Sequence, residues 1–345
     1  MNAAPKYSII IPSFNRADEL SELLNSLKAL NFPRDRFEVI VSDDGSTDNT
    51  PSLVDSFKKK NNFTLVYLQQ QNKGPGAARN HGMEKATGNF FIFVDSDVTV
   101  PADWLEHIDE AVQQNNADAF GGPDTFSKDF PPLLKAINYS MTSFITTGGL
   151  RGKKGKKLAK FYPRSFNMGL SRKLWQKIGG FGSLRHGQDI EFSHRIIRSN
   201  AKVVFVEKAP VFHKRRTNLW RFYKQVFNWG MARINLYKID SSMLEPLHAA
   251  PALATLIIVS VLLSAPFSIF MLKVVQVGFV FSLLVLIYSI VDSLRIYKSL
   301  MPGLLLPFVM PAQILGYGFG FIYNFIRRVV LNRGEKVGFK KNYYK

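Results

Sequence analysis

Phe90-Phe91-Ile92-Phe93-Val94-Asp95-Ser96-Asp97 is an apolar run that ends abruptly on Asp-Ser-Asp. A run of that length bounded by turn residues reads as a buried strand. Lys6 to Pro12, Phe37 to Ser42 and Thr64 to Leu68 have the same character. Between them, Leu20, Leu23, Leu24 and Leu27 recur at helical spacing, and Gly76 to Ala86 reads as a second helix. Strands alternating with helices imply an α/β fold, a mostly parallel sheet with helices on both faces. Such sheets take ligands beyond the carboxyl ends of their strands. Asn15, Asp43, Asp44, Asp95 and Asp97 all fall at strand ends.

Asp95 and Asp97 are two apart, so in extended geometry both point to one side. Two hard oxygen donors suit Mg²⁺ or Mn²⁺ shared with substrate phosphates, and such an ion neutralises a leaving diphosphate. The plainer reading is an acidic turn. Gly74-Pro75-Gly76-Ala77-Ala78-Arg79 is not a dinucleotide fingerprint: Arg79 stands where the third glycine belongs, and the motif does not follow the first strand. A glycine-led helix start with an arginine is either a phosphate or ribose contact or an ordinary helix N-terminus.

The net charge is +19 over 345 residues, unevenly spread. Residues 1–130 hold 12 Lys+Arg against 19 Asp+Glu, residues 131–245 hold 23 against 5, and residues 246–345 hold 10 against 2. Basic residues beside apolar segments suit an anionic leaflet or a phosphorylated lipid, and no nucleic-acid partner is expected. The chain has no cysteine, which excludes disulfides, zinc–thiolate sites and a thiol nucleophile. Tyr7 to Ile11 is too short for a signal peptide, so the first domain is expected on the cytoplasmic side of a bacterial-type membrane.

No charged side chain occurs between Glu245 and Lys273, a second uncharged run covers Val274 to Val291, and a third covers Ser299 to Ile326. The first two are long enough to cross a bilayer. The third carries Pro302, Pro307 and Pro311, then Gly316, Gly318 and Gly320. Basic residues precede the first run and follow the third, so the positive-inside rule favours two crossings with a re-entrant third segment over three crossings. The expected organisation is a catalytic domain over 1–245 (1–130 donor part, 131–245 acceptor part), a membrane region over 246–326 with segments near 249–271, 274–294 and 302–326, and a basic tail over 327–345.

Ser8-Ile9-Ile10-Ile11-Pro12-Ser13-Phe14-Asn15-Arg16, Val39-Ile40-Val41-Ser42-Asp43-Asp44-Gly45-Ser46, Gly76-Ala77-Ala78-Arg79-Asn80 and Val94-Asp95-Ser96-Asp97 together resemble the family 2 inverting glycosyltransferases of GT-A fold. Asn167-Met168-Gly169-Leu170, Gly179-Gly180-Phe181 and Gly187-Gln188-Asp189-Ile190-Glu191 extend the likeness, which covers roughly residues 6 to 215. The resemblance implies a nucleotide-diphosphate-sugar donor, with Pro12, Phe14, Asn15, Asp43 and Asp44 around base and ribose and Arg79 near ribose and phosphates. It implies Asp95 and Asp97 as the Asp-x-Asp pair holding Mg²⁺ or Mn²⁺, with Asp95 also among the nucleotide-sugar contacts, and Asp189 as catalytic base. Gln188 stands where an acidic residue is usual. Gln188, Glu191 and Trp229 are expected on the acceptor side, the acceptor being a lipid-linked or other saccharide. His213 is either a further metal or diphosphate ligand or a structural histidine. The run 151–157, four lysines and an arginine among its seven residues, is either a solvated loop or a flap over an anionic acceptor.

A processive synthase would carry Gln-x-x-Arg-Trp, where this chain reads Gln225-Val226-Phe227-Asn228-Trp229. Transfer to a polyprenyl phosphate needs no base, whereas a carboxylate stands at Asp189. An inert nucleotide-sugar-binding scaffold and a nucleotidyltransferase remain as readings from other classes.

Overall fold

The computed structural model describes residues 6–125, 130–147, 162–184, 186–213 and 218–334. The basic run 151–157, the cluster 214–216 and the tail beyond 334 lie outside them. The chain packs as two compact units, one holding residues 6–125 and 162–213, the other 130–147 and 218–334.

In the first unit the strands are β1 Tyr7–Ser13, β2 Phe37–Asp43, β3 Thr64–Gln69, β4 Phe90–Val94, β5 Val98–Thr99, β6 Ala119–Gly121, β7 Asp124–Thr125, β8 Asn167–Ser171, β9 Val203–Phe205 and β10 Val211–His213. Seven of them form one sheet in the order β3-β2-β1-β4-β8-β6-β9, and β5-β10-β7 form a small second sheet. The first four run parallel, and β8 is antiparallel to both its neighbours. Every residue of β1, β2 and β4 is buried, as expected where helices cover both faces. Side chains alternate between two cores. Ile9, Ile11, Val39 and Val41 pack with Leu20, Leu23, Leu24 and Leu27 of helix Ala17–Lys28 and with Trp104 and Ile108 of helix Trp104–Gln114. Ile10, Ile40, Phe91 and Phe93 face the other way, toward Met83 of helix Pro75–Lys85, Leu174 of Arg172–Ile178 and Phe192 of Gln188–Arg198.

The second unit is helical. Among the described residues, three of its helices are long and apolar enough to cross a membrane: Pro246–Phe267, Ile269–Tyr297 and Leu306–Val330, of 22, 29 and 25 residues. The third run, for which a re-entrant segment was expected, forms the short helix Leu300–Leu304 and, after Leu305, the long helix Leu306–Phe325. Its prolines do not break it for identifiable reasons. Pro302 sits in the separate short helix Leu300–Leu304, and Pro307 occupies the first turn of Leu306–Phe325, where a missing N–H costs nothing; only Pro311 lies inside. Its glycines allow close packing instead: a Cβ on Gly320 would strike the Phe227 carbonyl of helix Leu219–Ile239, and one on Gly318 would strike Thr255. Gly320→Val should therefore cost about 1–3 kcal/mol or more by overpacking. Gly278→Val, with nothing within 4 Å, should leave melting of the detergent-purified chain unchanged. Equal melting temperatures for the two variants would contradict this packing.

Helix Pro132–Thr142, expected in the acceptor part of the catalytic domain, groups with the apolar helices. Three successive polar residues tie it there. Asn138 donates to Tyr297 Oη at 2.8 Å, Tyr139 to Asp292 at 2.9 Å, and Ser140 to Gln313 at 2.8 Å. Trp229 also belongs to this unit, half-buried beside Phe222, Val226 and Leu306.

Candidate active site

Two loops at the carboxyl ends of β1 and β2 are laced together. Asn15 adopts a left-handed conformation (φ 50°), tolerable for Asn. Its N–H donates to Ser46 Oγ at 2.9 Å, and its side-chain oxygen accepts the Thr47 N–H at 2.7 Å. Asp43 is fully buried and accepts from the Ser46 N–H and hydroxyl and from Tyr67 Oη at 2.6 Å. It braces the turn. Asp44 accepts from Gln70 Nε2, the Lys73 N–H and the Gly74 N–H at 2.7, 2.8 and 2.7 Å. Burial raises its carboxyl above the ordinary range even so, because desolvation outweighs those three bonds. Pro12 is buried within β1, and Phe14 is half-buried at the loop.

Asp95 directly follows β4, and Asp97 directly precedes β5. Strand β10 pairs with β5 so that His213 lies opposite Val98, which brings a residue 116 positions on to Asp97. Ligand atoms of Asp95, Asp97 and His213 all lie within 4.8 Å of one another. Two carboxylates and an imidazole make a donor set that fits Mn²⁺, and Mg²⁺ if water supplies further oxygens. Each acid already has a cationic neighbour. Arg79 Nη2 is 2.5 Å from Asp95 Oδ1, Arg16 Nη1 is 2.6 Å from Asp97 Oδ2, and His213 Nε2 is 3.2 Å from Asp97 Oδ1. Arg79 is buried, its guanidinium 5.3 Å from the Phe181 ring centre.

Asp189 sits in the first turn of helix Gln188–Arg198, after Gly187 in a left-handed conformation that starts the helix. Arg164 Nη1 holds its Oδ2 at 2.9 Å. Burial raises the Asp189 carboxyl, but Arg164 and then Arg79 outweigh it and hold the group below the usual carboxylate range. It is therefore ionised at neutral pH. Gln188 presses on Gly76, where a Cβ would come within 2.6 Å of its Oε1, and donates to the Gly182 carbonyl. Glu191 makes a two-pronged pair with Arg195 at 2.6 and 2.9 Å, and Arg195 also binds the Ile178 and Gly180 carbonyls.

Of the residues singled out in the sequence, Asp95, Asp97 and His213 converge, Asp189 lies within the electrostatic reach of Arg79, and Trp229 belongs to the other unit. Sequence reasoning assigned no role to Arg16 or Arg164. It also passed over Asn80, whose amide clamps Phe181 from both sides, N–H to Oδ1 at 2.7 Å and Nδ2 to O at 2.9 Å. Arg16 and Asn80 stood inside quoted motifs; Arg164 carried no local signal.

Residues 8–179 match Glycosyl transferase family 2. The chain is 33% identical over 143 residues to the poly(ribitol-phosphate) beta-N-acetylglucosaminyltransferase of Staphylococcus aureus, covering 39% of this chain and a quarter of that protein. It is 35% identical over 118 residues to a GalNAc(5)-diNAcBac-PP-undecaprenol beta-1,3-glucosyltransferase of Campylobacter jejuni, covering 34% of this chain and 38% of that one. A mannosyltransferase of Pyrobaculum calidifontis, solved with GDP-Man and Mn²⁺, shares the fold with a TM-score of 0.65 at 17% identity, over 93% of this chain and 88% of that one. The sheet order, the strand-end loops and these likenesses agree: the chain carries a family 2 domain of GT-A fold and belongs with the family 2 glycosyltransferases.

Proposed function

We propose that the chain moves a sugar from a nucleoside-diphosphate sugar to a hydroxyl of a lipid-linked or polymeric saccharide at a membrane surface, inverting the anomeric configuration. The observation that carries this reading is the convergence of Asp95, Asp97 and His213 beyond the end of β4. The laced loops at Asn15 and Asp44 receive the base and ribose, and Arg79 reaches ribose and phosphates. Asp189, ionised beside Arg164, accepts the proton of the acceptor hydroxyl. The hydroxyl oxygen bonds to the anomeric carbon while the bond to the diphosphate breaks, and the diphosphate leaves with the electron pair. A divalent ion held by Asp95, Asp97 and His213 would supply charge neutralisation for that leaving group. An acceptor phosphate would bring its own ionised nucleophile, so the ionised Asp189 favours a hydroxyl. The two bacterial relatives act, by name, on a polymer of ribitol phosphate and on a saccharide carried by undecaprenyl diphosphate. Three helices apolar enough to cross a membrane agree with an acceptor of that kind. The catalytic unit is placed on the cytoplasmic side in this reading.

The test is nucleoside-diphosphate release by the full chain in detergent, with UDP-, GDP- and dTDP-sugars and Mg²⁺ or Mn²⁺. Release from one donor, abolished by a chelator, is expected. Donor binding without release, even with saccharide acceptors supplied, would favour an inert scaffold. No binding of any donor would sink both readings, and nucleoside triphosphate formed from a donor and added pyrophosphate would mean a nucleotidyltransferase. Arg164→Gln gives a second check. Losing the guanidinium lets the Asp189 carboxyl rise, so the acid limb of the kcat/KM profile should move to higher pH. An unmoved limb would remove Asp189 from the role of base.

A further inference from the structure

Three acidic groups of the proposed site each hold a guanidinium brought from a different segment: Arg79 on Asp95, Arg16 on Asp97 and Arg164 on Asp189. The three are not equivalent. Arg79 is wedged, its side chain only 6% exposed and backed by the Phe181 ring. Arg16 projects from the residue just before helix Ala17–Lys28, with its side chain 20% exposed and Glu19 at 3.9 Å. It also takes one oxygen of the very carboxylate that a cation would use. Asp97 has two oxygens; Arg16 Nη1 occupies Oδ2 at 2.6 Å, and His213 Nε2 faces Oδ1 at 3.2 Å. A divalent ion entering between Asp95, Asp97 and His213 would meet a fixed positive charge on its principal ligand. Like charges at such separations repel appreciably even at the effective dielectric of a protein surface.

We infer that Arg16 is a built-in counter-ion of the metal site: it keeps Asp97 paired when no donor is present, and swings to the diphosphate when a metal–nucleotide sugar arrives. This rests on the metal reading of the Asp95, Asp97 and His213 cluster. The diphosphate supplies the negative charge that releases Arg16 from Asp97, so metal and donor are taken up together. A guanidinium is suited to both partners, because its fork matches carboxylate and phosphate alike. The consequence is a positive coupling between two ligands: free metal binds poorly, and nucleoside diphosphate raises its affinity. Couplings of this kind typically span roughly 5- to 150-fold.

The experiment is a Mn²⁺ titration of the detergent-purified full chain, followed by the electron paramagnetic resonance signal of free Mn²⁺, alone and with UDP or GDP. No turnover is involved. Wild type should bind Mn²⁺ weakly alone and at least about tenfold more tightly with the nucleotide it accepts. Arg16→Gln should bind Mn²⁺ alone about tenfold more tightly than wild type and gain correspondingly less from nucleotide than wild type does. Arg16→Lys keeps a cation at this position and should bind free Mn²⁺ as weakly as wild type, whether or not the glutamine variant folds. Asp97→Ala is the control for the metal reading. If Asp97→Ala loses Mn²⁺ while Arg16→Gln matches wild type, or if Arg16→Lys gains affinity, the counter-ion role is overturned and the metal site stands. If Asp97→Ala binds Mn²⁺ as wild type does, the metal reading falls and the counter-ion role with it.

Discussion

Asp189→Asn is expected to reduce sugar transfer by about 10²–10⁴-fold, the range over which a positioned general base acts. The substitution keeps size and shape, and its amide oxygen still accepts a hydrogen bond from Arg164, which now pairs with Asp189 at 2.9 Å. The first turn of helix Gln188–Arg198 should persist, because Gly187 rather than Asp189 sets its entry. What is lost is the ionised oxygen that takes the acceptor proton. Donor binding should stay within about twofold of wild type, since the nucleotide loops at Asn15 and Asp44 are held by their own hydrogen bonds. Turnover measured beside a nucleotide titration separates the two. Near-normal turnover in the variant would remove Asp189 from the reaction; a parallel loss of donor binding would mean that it supports the pocket instead.

Asp97→Ala should act earlier in the sequence of events. It removes the carboxylate that His213 and Arg16 share and leaves Asp95 and His213 as the remaining pair of the cluster. Charge stabilisation of a leaving diphosphate by a bound divalent ion is worth several kcal/mol, so a loss of about 10³-fold in kcat/KM is expected. Raising Mn²⁺ should recover part of it if the site is weakened rather than abolished. Full activity in the presence of a chelator, in wild type as well, would show that the two carboxylates serve another purpose. Arg16 and Arg79, already within 2.6 Å of them, would then be the cations that neutralise the departing group.

Much of this architecture was legible before any coordinates. The apolar runs at β1, β2 and β4 are buried on both faces, and that condition writes itself into sequence as unbroken hydrophobic stretches ending in polar residues. The pair Asp95 and Asp97 was visible because it abuts such a run. Asn15 and Asp44 were visible for the same reason. The length of the three apolar helices was legible too, because bilayer thickness is a length requirement.

The sequence by itself therefore determined the strand–helix alternation, the acids at the strand ends and the presence of three long apolar segments, all properties of local period and composition. Only the tertiary structure decided which cation meets which acid. Arg16 reaches Asp97 across 81 residues and Arg164 reaches Asp189 across 25, through strand order and loop geometry that leave no periodic trace. It likewise decided that helix Pro132–Thr142 packs with the apolar helices, through bonds spanning 153 to 173 residues. It turned the glycines of the third segment from apparent breaks into points of close helix contact. In each case the outcome depends on a partner that arrives from elsewhere in the chain. A residue's own neighbours in sequence fix its backbone preference, whereas its charge partner and its packing surface are fixed by which elements the fold sets side by side.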